Sequence, residues 1–418
     1  MLSRLSWLRP GRLHHHSVKH AEYSLSSSRL ERAVRSARCL HIRTSKRPEI
    51  RQRRIDLESK VIRNSRSFVA ESIPPILYPP TIFLGLLFGL WTWKCFWIIV
   101  MQNKLLYLSW LPPFSRSDTI AEYDSQCRPV HWQETRIRSL DGTKLAVCEG
   151  HIPNGKHQNA LGTNPFSKTV VICYFQGNGG STPLRLPLLS QILRSLAASS
   201  SPDTKFTILA LSYRGYWKSS GRATQSGIER DAQAFLTWAS KTYSPSTGTT
   251  PLQLILWGHS LGSAVASSAL PSYLSSLEDE KSQQSRPLAK VSGFIMEAPT
   301  SSIKDMLISL YPQRWLPYRY LWPFSWNTWC NTSNLTRIAE WREEHPGARS
   351  DVPPILILSA ENDEVIPPYV AGQLEQTGQE LGLEISKKEV RGAMHTEAPM
   401  KEDGRKTLIQ FILRNTSK

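Results

Sequence analysis

Cysteine is scarce and scattered: Cys39, Cys95, Cys127, Cys148, Cys173 and Cys330 are all there is in 418 residues. No two form a CxxC pair and no histidine spacing accompanies them, which argues against a zinc module or a small disulfide scaffold. There is no GxxxxGK[ST], and the glycine-rich run at 177–180 lacks a GxGxxG register, so a phosphate loop is not supported. No internal repeat is visible. Only one long apolar run occurs, which excludes a multi-span transporter. Acid is what the first 68 residues lack: 17 basic residues face 5 acidic ones, net +12, whereas the other 350 carry 34 and 29. The formal charge of +17 therefore belongs mostly to one tail, and neither a basic catalytic surface nor a nucleic-acid face is implied. Forty per cent hydrophobic residues suffice for a core and exclude disorder of the whole chain.

The tail itself reads as a targeting segment. Its first 21 residues hold Arg4, Arg9, Arg12 and Lys19 and no acid, with Ser, His and Leu between. Arg-rich, Ser-rich and acid-poor is the composition of a mitochondrial transit peptide, and the apolar core of a secretory signal is missing. A cytosolic basic arm is the alternative. Thr81–Met101, TIFLGLLFGLWTWKCFWIIVM, then supplies 21 residues, about 31 Å as a helix at 1.5 Å per residue. That length crosses a bilayer core. Lys94 interrupts the run about two turns from its far end, where its stem can snorkel outward. Trp91, Trp93, Trp97 and Trp110 suit an interface belt. The expectation is a single-pass membrane protein with its N-terminus in the cytosol or matrix and the remaining 300 residues across the membrane. The mitochondrion is favoured, with the endoplasmic reticulum as the alternative. Three N-x-[ST] sequons, at Asn331, Asn334 and Asn415, bear on that choice, because glycans are added only in the secretory lumen. Asn415, nearest the end of the sequence, is the expected acceptor in that case.

From about Asp118 the chain alternates β-branched runs with longer helical patterns. Strands are predicted at Thr169–Phe175, Phe206–Ser212, Leu252–Trp257, Gly293–Glu297, Ile355–Ser359 and Ile385–Val390. Helices are predicted at Leu184–Ala198, Ile228–Tyr243, Leu261–Leu277 and Tyr369–Leu381. Trp132–Arg138 and Lys144–Glu149, around a Leu-Asp-Gly-Thr turn, read as an opening hairpin. Alternation of this kind means a mostly parallel sheet with helices on both faces. Two inserts break it: a polar loop at Gln158–Ser167 and an aromatic stretch at Thr300–Trp341, expected to form a helical cap lining an apolar site. The resulting plan is a basic tail over 1–68, an anchor with its juxtamembrane segment over 69–117, and an α/β domain over 118–418.

The strand LQLILW runs into Gly258-His259-Ser260-Leu261-Gly262 and then into a small-residue helix. This is G-x-S-x-G in the strand–turn–helix setting of a nucleophile elbow. The serine must sit on a strained turn with its hydroxyl exposed, so Gly258 and Gly262 remove side chains that would collide. Ser260 is the expected nucleophile, and the backbone N–H of Leu261, at a helix N-terminus, is an expected oxyanion donor. A serine needs a base, and the base an orienting acid. Of eleven histidines only His345 and His395 follow Ser260. His345 lies ahead of the strand-end acid, whereas His395 stands on a loop after the last strand. Asp363, just past Ile355–Ser359, completes the order Ser, acid, His. Glu297 is the fallback acid, with Glu361 and Glu364 behind it. The second oxyanion donor is expected from Gln176-Gly177-Asn178-Gly179-Gly180, as the backbone N–H of Gly177 or Asn178.

These residues resemble a known family. YFQGNGG, LSYRGYWKSSG, LWGHSLGSAVA, FIMEAPTSS, LILSAENDEVIPP and GAMH are similar, in order, to the blocks of membrane-anchored α/β-hydrolase domain proteins. The resemblance runs from about Cys127 to Leu413 and is nearest the lysophosphatidylserine and monoacylglycerol lipase type, with acyl-protein depalmitoylases as neighbours. It implies an α/β-hydrolase fold with Ser260, Asp363 and His395 as the triad, and needs no cofactor and no metal. Two positions depart from the pattern: Gln176 stands where the family usually has His, and Trp217 where it often has Gly. An H-x-x-x-x-D acyltransferase signature is missing, since Ala264 and Met400 occupy the fifth positions after His259 and His395. The expected activity is hydrolysis of a lipid carboxylic ester, of a lysophospholipid or monoacylglycerol. Its partners are that lipid substrate and the membrane, not nucleic acid. A thioesterase acting on acylated proteins and a non-catalytic membrane protein of the same fold are the competing expectations.

Overall fold

The computed structural model describes residues 74–153, 167–244, 251–282 and 288–417. The basic tail, with its transit-peptide reading, and nearly all of the Gln158–Ser167 loop lie outside these residues. The chain divides into two units, Met1–Thr81 and Ile82–Lys418. Of the first, only the approach to the apolar helix is described: a 3₁₀ turn at Pro75–Leu77 and the opening residues of α1, Tyr78–Val100. The helix begins three residues before the predicted start. Pro79 and Pro80 fall in its first turn, where the missing N–H groups have no intrahelical partner to lose. From Pro75 to Val100 the run is long and apolar enough to cross a membrane, and none of its residues is fully buried. A helix that is apolar all round yet exposed suits lipid rather than a soluble core.

Among the described residues of the second unit, eight strands form one sheet in the order β1-β2-β4-β3-β5-β6-β7-β8. They are β1 His131–Arg138, β2 Lys144–His151, β3 Lys168–Phe175, β4 Thr204–Ser212, β5 Leu252–His259, β6 Lys290–Glu297, β7 Ile355–Ala360 and β8 Ile385–Val390. β2 runs antiparallel to both of its neighbours, β1 and β4; β3 to β8 pair in parallel. The central strands are buried on both faces, as continuous Val, Ile and Leu runs require. Each predicted strand is present, extended by at most three residues.

Helices cover both faces, and each face has its own apolar core. After α2, Gln102–Leu106, come α3, Leu186–Ser199, and α4, Gln225–Tyr243; α5, Leu261–Ser282, follows β5 directly. The insert after β6 has two parts. Ile303–Leu310 (α6) and two 3₁₀ turns, Pro317–Tyr320 and Trp322–Phe324, form a cap. Asn331–Glu344 (α7) instead packs on α5: Asn331 bonds Ser263, Ser267 and the Thr300 carbonyl, and Asn334 bonds Ser267. Two further helices follow, α8, Tyr369–Glu380, and α9, Glu402–Thr416.

The juxtamembrane segment is built into this body. Tyr107 is buried, donates from its hydroxyl to Asn327 Oδ1 at 2.7 Å and accepts from Trp329 Nε1 at 2.9 Å. Gln102 bonds the Phe324 carbonyl and the Trp326 N–H of the cap. Lys94 does not simply snorkel; its Nζ lies 4.3 Å from the centre of the Tyr318 ring.

Of the three sequons, Asn415, the expected acceptor, departs from expectation. Asn415 is buried on α9 and donates to the Phe411 carbonyl at 2.9 Å, because it falls on the face of the helix turned to the sheet. Asn331 and Asn334 are buried as well. None of the three asparagines is offered by the folded chain as an exposed acceptor.

Candidate active site

Sequence fixes the elbow sterically. Ser260 has φ 52°, in the left-handed region that β-carbon crowding disfavours. Its N–H donates to the Glu297 carbonyl at 2.8 Å, which ties the turn to the end of β6. A Cβ on Gly258 would run into the Gly262 carbonyl, and one on Gly262 into the Phe175 carbonyl. The predicted collision is therefore real on both sides of the serine.

The loops after β7 and β8 bring Asp363 and His395 together. His395 Nδ1 lies 3.0 and 2.9 Å from the two Asp363 oxygens. Asp363 Oδ1 also accepts the N–H groups of Val365 and Ile366, at 2.9 and 2.7 Å. Burial alone would push the Asp363 carboxyl up. The bonds from His395 and these two amides outweigh it and hold the group below its ordinary value. The loops are stitched by Glu364 accepting the His395 N–H at 3.0 Å and Glu361 accepting the Gly392 N–H at 2.8 Å. Both glutamates thus act on backbone, not on the imidazole.

Ser260 and His395 line one cavity of about 810 Å³, together with Leu261, Gly177 and Asn178. No hydrogen bond joins the serine hydroxyl to His395 among the described residues; such contacts often tighten only when substrate binds. Asn178 is held by two outside contacts: its Oδ1 accepts the Leu108 N–H at 3.0 Å and its carbonyl accepts the Tyr216 hydroxyl at 2.9 Å. Gly180 N–H donates to the Leu111 carbonyl at 2.7 Å. The juxtamembrane chain thus braces the expected oxyanion loop.

Glu297, the fallback acid, is occupied elsewhere. It is fully buried, accepts Trp257 Nε1 at 2.8 Å, and lies 3.6 Å from Arg185 and 3.8 Å from His259 Nε2. Burial pushes its carboxyl up, opposed by the Arg185 charge. Burial, with the charge of Arg185 and the proximity of His395, drives His259 well below its usual range. Neutral His259 can donate from Nε2 to the His395 carbonyl at 3.4 Å, and Arg185 donates to the Thr396 carbonyl at 3.3 Å. Arg185 and His259 therefore hold the backbone of the histidine loop. Sequence reasoning missed Arg185. Its signal is a single charge in the otherwise uncharged run STPLRLPLL.

The two departures from the family pattern acquire contexts. Trp217 has φ 39°, which explains why glycine suits the position. Burial of the ring and a 2.8 Å bond from Nε1 to the Asp118 carbonyl offset the strain. Gln176 lines the cavity; its Oε1 accepts from Thr182 at 2.7 Å, and its Nε2 has no protein partner among the described residues.

Most of the cavity wall is apolar. It comes from Ile98 and Ile99 of α1, Leu105, Leu106 and Leu108 just beyond, and Ile303, Met306 and Leu307 of the cap. Of the insert's nine expected aromatics, Tyr311, Trp322 and Phe324 line it. Tyr318, Trp329 and Trp341 are buried elsewhere, while Trp315, Tyr320 and Trp326 are exposed and outside the lining.

Comparison with known proteins agrees with this architecture. Alpha/beta hydrolase domain-containing protein WAV2 of Arabidopsis thaliana is 26% identical over 277 residues, 65% of this chain and 74% of that one. Lysophosphatidylserine lipase ABHD12 of Danio rerio is 28% identical over 199 residues, 47% of this chain and 44% of its own length. The crystal structure of an alpha-beta hydrolase from Vibrio vulnificus matches the fold with a TM-score of 0.50 at 14% identity, over 74% of this chain and 92% of that one. The model of the alpha/beta hydrolase family matches residues 178–409, from the glycine-rich loop after β3 into α9. With the strand order, the single antiparallel strand and the elbow after β5 in agreement, the chain belongs to the alpha/beta hydrolase family.

Proposed function

We propose that this chain is a membrane-bound serine hydrolase that cleaves single-chain lipid esters, of the lysophospholipid or monoacylglycerol kind. One observation carries the reading: a strained Ser260 and an Asp363-paired His395 share the wall of an apolar cavity. Its volume of about 810 Å³ lies within the range of small-ligand sites. The zebrafish relative's name as a lysophosphatidylserine lipase supports the substrate class.

The geometry supports the following roles. Asp363 holds the Nδ1–H of His395, which leaves Nε2 as the base. His395 takes the Ser260 proton as the hydroxyl attacks the acyl carbonyl. The N–H of Leu261 and that of Gly177 or Asn178 receive the oxyanion. His395 protonates the departing alcohol, leaving an acyl-enzyme, and then activates the water that releases the fatty acid. The apolar wall holds the acyl chain. α1 anchors the domain to the bilayer in which such lipids reside, with the basic tail on the far side as the positive-inside rule requires.

A panel of esters against the full-length chain tests this. Monoacylglycerol and lysophospholipids of long acyl chain should be turned over, and Ser260→Ala should abolish turnover. Faster cleavage of an S-palmitoyl peptide than of any oxygen ester would replace the lipase reading with a thioesterase.

A further inference from the structure

The cap carries exposed apolar side chains on the unit that also contains most of α1. Trp315, Trp326 and Tyr320 are 67%, 64% and 53% exposed. Single exposed aromatics are ordinary, but three of this size beside an apolar helix are a patch. Contacts fix where it lies. The Trp315 ring stands 5.9 Å from that of Trp91, and Tyr318 stacks under Lys94. Gln102 ties the end of the cap to the first turn beyond α1. The cap therefore shares the depth of helix positions 91–102. Lys94 lies seven residues before Met101, about 10 Å along the axis at 1.5 Å per residue. Trp91, Trp93 and Trp97 place the lipid–water interface at this level. Lys304 over the Trp322 ring, at 4.6 Å, adds the cationic rim that such a position favours.

The cavity opens on the same face. Its lining residues Leu105, Leu310 and Phe324 are 55%, 67% and 58% exposed and come from the juxtamembrane helix and the cap. Val365, another exposed lining residue, stands two residues from Asp363, at the catalytic end. An apolar mouth beside the helix and a polar end at the triad suit a ligand with one acyl chain and a polar head.

We propose that the aromatic face of the cap is immersed in the leaflet beside α1, and that the cavity fills sideways from that leaflet through the gap between Leu105, Leu310 and Phe324. The membrane helix is then a wall of the acyl site as well as an anchor. This rests on the proposed function for the identity of the ligand, but the placement of the cap does not depend on catalysis.

The test uses the full chain in phosphatidylcholine nanodiscs containing phosphatidylcholine with a diazirine in its acyl chain. After irradiation, adducts are mapped by peptide mass spectrometry. Adducts are expected within Ile303–Leu310 and between Trp315 and Trp326, in addition to α1. Adducts confined to α1 would overturn the proposal. The double variant Trp315→Glu/Trp326→Glu should reduce cap adducts at least fivefold and leave those on α1 unchanged; undiminished cap labelling would equally overturn it. Loss of the serine-hydrolase reading would appear in the ester panel and leave this labelling pattern untouched.

Discussion

Asp363 and Glu297 are both strand-end carboxylates, but their surroundings differ. Asp363 faces Nδ1 of His395, whereas Glu297 is enclosed by Trp257, Arg185 and His259. Asp363→Asn should therefore cost roughly 10⁴-fold in kcat, the scale seen when a triad loses its acid. Glu297→Gln keeps the Trp257 bond and should cost at least about a hundredfold less in the same assay, since it leaves the triad tautomer alone. Equal losses would move the acid role to Glu297. The elbow was legible because steric demand leaves so few sequences for that turn. The role of Arg185 was not, because a single charge in an apolar run marks a position without showing which distant groups surround it; Gln176 stood out as a departure, but its unpartnered amide shows only in the fold.

Among the elements, the cap separates side chains that a list of aromatics could not. Trp322 lines the cavity and Trp326 does not. With monomeric esters in solution, Trp322→Ala should lower kcat/KM increasingly as the acyl chain lengthens, up to about 0.8 kcal/mol per buried methylene lost from contact. Trp326→Ala should leave that series unchanged. A uniform loss from acetyl to octanoyl for Trp322→Ala would make it a packing residue. The sheet has its own brace. Arg214, after β4, binds buried Asp231 at 2.7 Å and Asp141 of the β1–β2 turn at 2.8 Å. Arg214→Met strands the buried Asp231 charge and should destabilise the domain by about 3–5 kcal/mol in denaturant unfolding. Strands were readable because β3, β5 and β7 each carry a short run of mostly apolar, buried residues between turns. α9 went unpredicted although Leu408, Ile409 and Ile412 are buried along one face; charged and polar residues at its two ends leave the apolar stretch too short to show a period.

For the whole molecule, the division between anchor and hydrolase is less clean than composition suggests. Tyr107, Leu108 and Leu111 bond into the body and the glycine-rich loop after β3. A chain starting at residue 118 should therefore lose activity even on water-soluble esters, whereas one starting at residue 82 should keep it; equal rates for the two would mean the segment serves only as a tether. Long-range contacts of this kind have no local signature, which is why sequence patterning placed the boundary by composition alone. The central claim unites the two parts: a lipid-facing cavity delivers an acyl group to Ser260. The most direct measurement treats the full chain in nanodiscs with ethyl and hexadecyl fluorophosphonates and maps the adducts by mass spectrometry. The account predicts a single adduct on Ser260, formed faster by the hexadecyl probe and abolished by Ser260→Ala. Undiminished labelling of that variant, or an adduct on another residue, would contradict it.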